Sequence, residues 1–383
     1  MMDRMRIGID ARFFGPQGTG PGRYVQRLVE HLGRLDTPHT FVLFMQREGA
    51  NAYAPRGERF ETVIADYRWY SVAEQLRMPR VLDRADLDLM HFPHFNVPVR
   101  YRKPFVVTIH DLIITHFATK RATTLGPIAY AFKQAGYRYV IRHAARHARR
   151  ILTVSEYSKR ELVETFQLDP EHVRVTYEAT DPPRELDEEA AGILDRYDVR
   201  QPFLLYVGNT YPHKNLERFI RGYARYRERV TGPLGLVLVG KRDYFSRRLE
   251  AEATKLGLHD AMQFVGFIPD AELPAFYQAA TWYVFPSLYE GFGLPPLEAM
   301  SYGTPVLSSN ATCLPEILGD AVRYFSPYRS ADIADALAEA HTGTGAHDAR
   351  RLQARAHVRQ YSWKRMAEET LGVYETVGTD LRK

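Results

Sequence analysis

The chain has 383 residues and one cysteine, Cys313. Without a second thiol no internal disulfide can form, and a reducing compartment fits. No run approaches the ~18 consecutive apolar residues of a membrane-spanning helix. The opening residues, MMDRMRIGIDAR, lack the apolar stretch of a secretory leader. A soluble, cytoplasmic protein is therefore expected. No Cys/His cluster has zinc spacing, and no Gly-x-Ser-x-Gly elbow marks a serine nucleophile. Asp86 and Asp88 have Asp-x-Asp spacing, but Ala85 and Leu87 flank them without other ligands, so no metal is expected. Sequence repeats and low-complexity tracts are missing too. Hydrophobic residues at 45% and charged residues at 25% exclude a disordered or collagen-like chain.

Acidic residues are absent from one long stretch. Between Asp111 and Glu156 there is none, against eight bases. The net charge of +5 hides an asymmetry: residues 1–185 carry 28 Lys+Arg and 21 Asp+Glu, the remainder 23 and 25. Arg138, Arg142, Arg146 and Arg150 recur every four residues, which on a helix makes one stripe. Like charges so spaced repel unless something anionic faces them. The stripe is either a solvated helix face or a surface for anionic lipid or a phosphate-bearing acceptor. Aromatic interleaving is limited to Tyr137 and Tyr139, and no recognition motif accompanies it, so nucleic acid is not an expected partner.

What the chain does have is two alternating β/α series. In the first, strands are expected at 6–11, 41–45, 87–92, 105–110 and 151–154. Helices are expected at 21–35 and 156–166, the latter capped by Ser155. In the second, strands are expected at 203–207, 236–239, 263–265, 282–285 and 305–308, with helices at 214–229, 246–256, 271–279 and 294–302. The pattern is helical from 332 onward. The division is a first domain at 1–180, a linker at 181–202 holding a short helix near 188–195, and a second domain at 203–383 whose terminal helices pack back toward the first. The expected class is α/β, with two parallel sheets covered by helices on both faces. Such sheets bind ligands at the carboxyl ends of their strands, so a cleft between the domains is the expected site.

Four segments have the residue types for chemistry. Gly15-Pro16-Gln17-Gly18-Thr19-Gly20-Pro21-Gly22 follows the first strand and opens a helix, where backbone amides and the helix dipole favour an anion. Its spacing is neither a dinucleotide fingerprint nor a Walker A loop; a flexible turn is the alternative. His110 ends a strand, a position that points into a cleft, although a hydrogen-bonded core histidine is the alternative. Lys214 follows Pro212 and His213 near a helix start, where its charge gains nothing from the dipole, so either an anion lies nearby or it is an ordinary surface lysine. The strongest segment runs from Pro286 to Met300. Glu290 lies in its loop and Glu298 about one turn into the following helix, placed to contact two parts of an extended ligand. Carboxylates accept from sugar hydroxyls, and the amides of Gly291, Phe292 and Gly293 suit phosphate oxygens.

Taken in order, these motifs resemble those of retaining, nucleotide-sugar-dependent glycosyltransferases of the GT-B fold, in the glycogen-synthase-like and mannosyltransferase-like group. The resemblance spans nearly the whole chain: the glycine loop, Ile109-His110-Asp111, the segment 153–162, Pro212-His213-Lys214, Glu290 with Glu298, and Gly303-Thr304-Pro305-Val306. It implies two Rossmann-like domains across a cleft, the first for acceptor and the second for sugar nucleotide. It implies that Glu298 holds the ribose hydroxyls, Glu290 holds hydroxyls of the donor sugar, and Lys214 neutralises the diphosphate. The amides of Gly18, Gly20, Gly22, Gly291, Phe292, Gly293 and Leu294 join Lys214, with Asn209 beside them. By the same resemblance His110 would contact the donor sugar near its reacting carbon, and Gly266, Phe267 and Ile268 would lie beside the base. No cofactor or metal is implied. The resemblance also implies that the leaving phosphate takes the acceptor proton on the same face of the sugar.

The sequence departs from the group at Asn209 and His213, where many relatives carry arginine. Arg12 and Arg23 are the candidates to compensate. Residues 91–95 and 289–300 look most like those of bacterial mannosyltransferases that build surface polysaccharides such as O-antigen. The implied donor is GDP-mannose and the implied acceptor a glycan, expected on a lipid diphosphate at the inner face of the cytoplasmic membrane. UDP-sugar transfer, sugar-nucleotide epimerisation and non-catalytic binding at a membrane surface are the alternatives.

Overall fold

The structure, a computed structural model, describes residues 4–15, 19–53, 59–117, 126–184, 192–342 and 347–383. The chain divides into two compact units, Met1–Glu178 with Ser362–Lys383, and Ala179–Tyr361.

The first unit is built on a parallel sheet of seven strands, β1 (Arg6–Asp10), β2 (Thr40–Met45), β3 (Phe60–Ile64), β4 (Leu89–Phe92), β5 (Phe105–Thr108), β6 (Arg150–Thr153) and β7 (Val173–Val175). Their order is β3-β2-β1-β4-β5-β6-β7. The central strands are buried along nearly their full length, as expected of a sheet covered on both faces. Ser155 caps the Glu156–Phe166 helix by accepting from the Ser158 amide, as its position implied.

Of the elements absent from the expected pattern, two have a plain physical reason. The edge strand β3 is half exposed, so its residues give no apolar run. The Val72–Arg84 helix contains Pro79, which hides its periodicity. Ser71 starts that helix by accepting from the Glu74 amide.

The last helix, Trp363–Asp380, belongs to the first unit, where it packs on the Thr19–Leu32 helix and on β6. A buried polar chain anchors it. His91 Nδ1 lies 2.6 Å from the Tyr374 hydroxyl, and His91 Nε2 lies 2.8 Å from Thr108 Oγ1, which meets the Tyr24 hydroxyl at 3.2 Å. Burial pushes His91 down to about 3, with His110 a second cause, so its ring is neutral. A neutral ring has one N–H and one lone pair, which suits two hydroxyl neighbours.

The second unit holds a parallel sheet of six strands, β8 (Phe203–Val207), β9 (Gly235–Val239), β10 (Met262–Gly266), β11 (Trp282–Phe285), β12 (Val306–Ser309) and β13 (Arg323–Phe325). They run in the order β10-β9-β8-β11-β12-β13.

The basic stripe is shorter than its spacing implied. The Pro127–His147 helix stops before Arg150, which opens β6 and pairs with Asp380 at 3.5 Å. Arg138, Arg142 and Arg146 remain on the helix and are exposed. Phe132 and Tyr139 accompany them, 77% and 65% exposed.

Candidate functional site

In the second unit the chain leaves β8 at Gly208 and makes a 3-10 turn, Pro212–Lys214. Lys214 therefore precedes the helix Leu216–Arg227 instead of opening it. Asn215, in the left-handed region at φ 61°, makes the break. Its amide group donates to the Pro286 and Pro327 carbonyls at 3.1 and 2.9 Å, which locks the turn to the end of β11. The Leu288 amide donates to the His213 carbonyl at 2.7 Å and ties the two candidate loops together.

That tie brings Lys214 and Glu290 into contact. Lys214 Nζ donates to Glu290 Oε1 at 2.6 Å, and the side chains are only 13% and 10% exposed. Nζ also lies 5.4 Å from the Phe285 ring centroid, a cation–π distance. Burial, then the neighbouring Lys214 charge, pushes His213 down to about 4. At neutral pH it adds no charge to this turn, so Lys214 is the charged donor of segment 208–215. Asn209 is exposed, and its carbonyl accepts from the Tyr206 hydroxyl at 2.6 Å.

The Glu290 loop is held by its main chain. The Glu290 amide donates to Thr312 Oγ1 at 3.1 Å, and the Cys313 thiol donates to the carbonyls of Glu290 and Phe292 at 3.3 and 3.2 Å. Burial keeps that thiol well above its ordinary pKa, so it stays a donor. Gly291, Phe292 and Gly293 are buried. Gly293, at φ +105°, starts the Leu294–Ser301 helix without a side-chain cap. With prolines at 295 and 296, only Leu294 and Leu297 supply N–H groups in the first turn. Glu298 follows on this helix, and its Oε2 accepts from the Tyr277 hydroxyl at 3.2 Å. Gly266 ends β10, Phe267 is exposed, and Ile268 is buried in the core.

In the first unit His110 follows β5. Its Nε2 lies 3.0 Å from the Pro93 carbonyl and its Nδ1 3.2 Å from Glu178 Oε1. Burial opposes its charge, but the hydrogen bond and charge of Glu178 outweigh that, with help from Pro93 and Asp111, and raise its pKa. Gly18 lies outside the described residues. Gly20 stands in the Thr19–Leu32 helix with open space where a Cβ would go. A Cβ at Gly22 would fall 2.3 Å from the Gly15 carbonyl oxygen and 2.5 Å from that of Phe13, so glycine there permits close chain packing.

Residues 196–359 match the sequence model of the family described as glycosyl transferases group 1, and residues 18–184 match glycosyltransferase family 4. The O-antigen chain mannosyltransferase B of Escherichia coli is 30% identical over 294 residues, 75% of this chain and 74% of that protein. The chain belongs to the glycosyl transferases group 1 family. The serotype-specific mannosyltransferase WbdA of Escherichia coli is 34% identical over 182 residues, 47% of this chain but only 22% of WbdA. Among solved structures, sucrose-phosphate synthase from Thermosynechococcus elongatus superimposes with a TM-score of 0.77 at 18% identity, covering 98% of this chain and 100% of that one. The fold is GT-B, with its two parallel-sheet α/β units.

In this glycosyltransferase one proposed cation is not available to a phosphate. Arg12 is fully buried and contacts Asp10 and Glu74, each at 2.6 Å. Burial works against its charge, yet the two carboxylates hold its pKa above the ordinary value. The corrected role of Arg12 is to tie the end of β1 to the Val72–Arg84 helix. Sequence reasoning also missed Thr312, Cys313 and Glu178 as supports of the glycosyltransferase's candidate residues. Cys313 carried a signal only about redox state, and Glu178 none.

Proposed function

We propose that this glycosyltransferase is a retaining, metal-independent hexosyltransferase that moves mannose from GDP-mannose onto a lipid-linked glycan in surface polysaccharide synthesis. The observation that carries the donor site is the buried Lys214–Glu290 pair beside the uncapped helix at Leu294. Taking two charges out of water is costly, and their attraction offsets that cost only partly. A diphosphate offers Lys214 a stronger partner than one carboxylate, and it frees Glu290 to accept from sugar hydroxyls. Glu298, held by Tyr277, then takes the ribose hydroxyls.

As the anomeric C–O bond breaks, negative charge grows on the departing diphosphate. Lys214 and the Leu294 amide stabilise it, each by about 2–4 kcal/mol. His110 contacts the sugar near the reacting carbon. The leaving phosphate takes the acceptor proton on the same face, which gives retention. The names of the O-antigen relatives support mannose and a polysaccharide acceptor. The donor test is a thermal-shift panel of GDP, UDP and ADP with their sugars. Stabilisation by GDP and GDP-mannose supports the reading; stabilisation by UDP-sugars alone overturns the donor assignment.

The acceptor side adds a membrane contact. No helix among the described residues is long and apolar enough to cross a membrane. Arg138, Arg142 and Arg146 with Phe132 and Tyr139 form a basic, aromatic face suited to anionic lipid. The triple substitution Arg138→Glu, Arg142→Glu and Arg146→Glu is expected to abolish cosedimentation with anionic vesicles at low salt. Equal cosedimentation of variant and wild type makes the stripe a solvated face.

A further inference from the structure

The His110 ring lies between two hydrogen-bond acceptors. The partner of Nε2 is the Pro93 carbonyl and the partner of Nδ1 is a carboxylate, at 3.0 and 3.2 Å. Both partners are acceptors, whereas a neutral imidazole has one N–H and one lone pair. Two acceptors are satisfied together only when both ring nitrogens donate. The side chains of His110 and Glu178 are 13% and 6% exposed, so water screens the pair weakly.

We propose that Glu178 is a positioning residue for His110, orienting the ring through Nδ1 so that His110 enters glycosyl transfer as a fixed positive charge and not as a proton acceptor. This rests on the reading of His110 as a donor-site residue. A ring donating at both nitrogens has no lone pair for general-base work. What it offers instead is its charge, which attracts electron-rich sugar or phosphate oxygens.

Other groups around the ring do not provide this charge balance. His91 and His94 are both pushed down to about 3, by burial first and by His110 second, and stay neutral. Tyr24 meets the ring edge-on at 4.9 Å, and burial raises it to about 12. Asp111 is the other neighbouring carboxylate, and its Oδ1 accepts from the Ile113 amide at 2.9 Å. Glu178 is the carboxylate in contact with the ring.

The test is a histidine ¹⁵N NMR titration of the full chain, with the His110 signals assigned by His110→Asn. In the wild type both His110 nitrogens carry protons at pH 7. In Glu178→Gln, which keeps shape and removes charge, the midpoint falls by about one pH unit or more. Activity belongs to the charged ring, so kcat is retained below the midpoint and lost as pH rises through it. The alkaline limb of kcat therefore moves down with the midpoint in Glu178→Gln, with a smaller change in donor KM. Glu178→Asp keeps the charge and restores the limb at least partly. An unchanged midpoint in Glu178→Gln overturns the proposal. A midpoint that falls while the kcat profile stays in place removes His110 from the reaction, and with it the positioning role, although the ion pair itself stands.

Discussion

Lys214→Ala is expected to lower sugar transfer by about 100- to 1000-fold, the usual loss when one preorganised donor to a developing negative charge is removed. The loss should fall mainly on kcat, because the diphosphate charge grows as the sugar leaves. The same substitution strips Glu290 of its cation partner in a site where that side chain is 10% exposed. Stability should fall as well, since an unpaired buried carboxylate is costly. The two effects separate in the double variant Lys214→Ala with Glu290→Ala. It removes the orphaned charge and regains part of the stability, while transfer stays at the level of Lys214→Ala or lower. The Glu290 loop keeps its path in these variants, because Thr312 and Cys313 hold its main chain. Steady-state kinetics and thermal melts on the three variants check both halves. Near-wild-type transfer in Lys214→Ala sinks the donor-site assignment.

Glu74→Ala carries the largest expected stability effect, about 3–5 kcal/mol, typical when one partner of a buried pair is removed. The side chains of Glu74 and Arg12 are both 0% exposed. Besides Arg12, Glu74 accepts from Asn96 Nδ2 at 2.8 Å and from the Tyr70 amide at 2.8 Å. Alanine leaves all these donors facing a cavity. Arg12 cannot relieve the strain by losing its proton, because guanidinium stays charged in proteins. Glu74→Gln keeps an acceptor for Tyr70 and should cost less. Urea titration of the three proteins gives the order wild type, Gln, Ala in descending midpoint. Equal midpoints would mean that the network adds nothing.

The sheets were legible in the sequence because parallel strands buried on both faces are written as continuous apolar runs, such as residues 203–207. The edge strand β3 escaped because one side is wet, and the 72–84 helix because proline breaks its period. The placement of Lys214, Glu290 and Glu298 beyond the ends of β8 and β11 was legible because glycine- and proline-bearing loops after apolar runs mark the carboxyl ends of strands. Their mutual contact was not, since it depends on Asn215 and on the Leu288–His213 hydrogen bond. Arg150 misled because a four-residue spacing carries no record of where a helix stops. Arg12 misled because a charged residue beside a glycine loop looks exposed until its carboxylate partners are known. Glu178 and Cys313 act through contacts distant in sequence, which no local pattern encodes.

The central claim is transfer of a sugar from a nucleotide donor with retention, and NMR of the product tests it most directly. The protein is incubated with GDP-mannose and a lipid-linked glycan acceptor in the presence of EDTA, and the new anomeric centre is read from its one-bond C–H coupling. The account predicts an α-mannosyl product from the α-linked donor, formed at an undiminished rate without free metal. A β-mannosyl product, or a reaction that stops with EDTA, would contradict it.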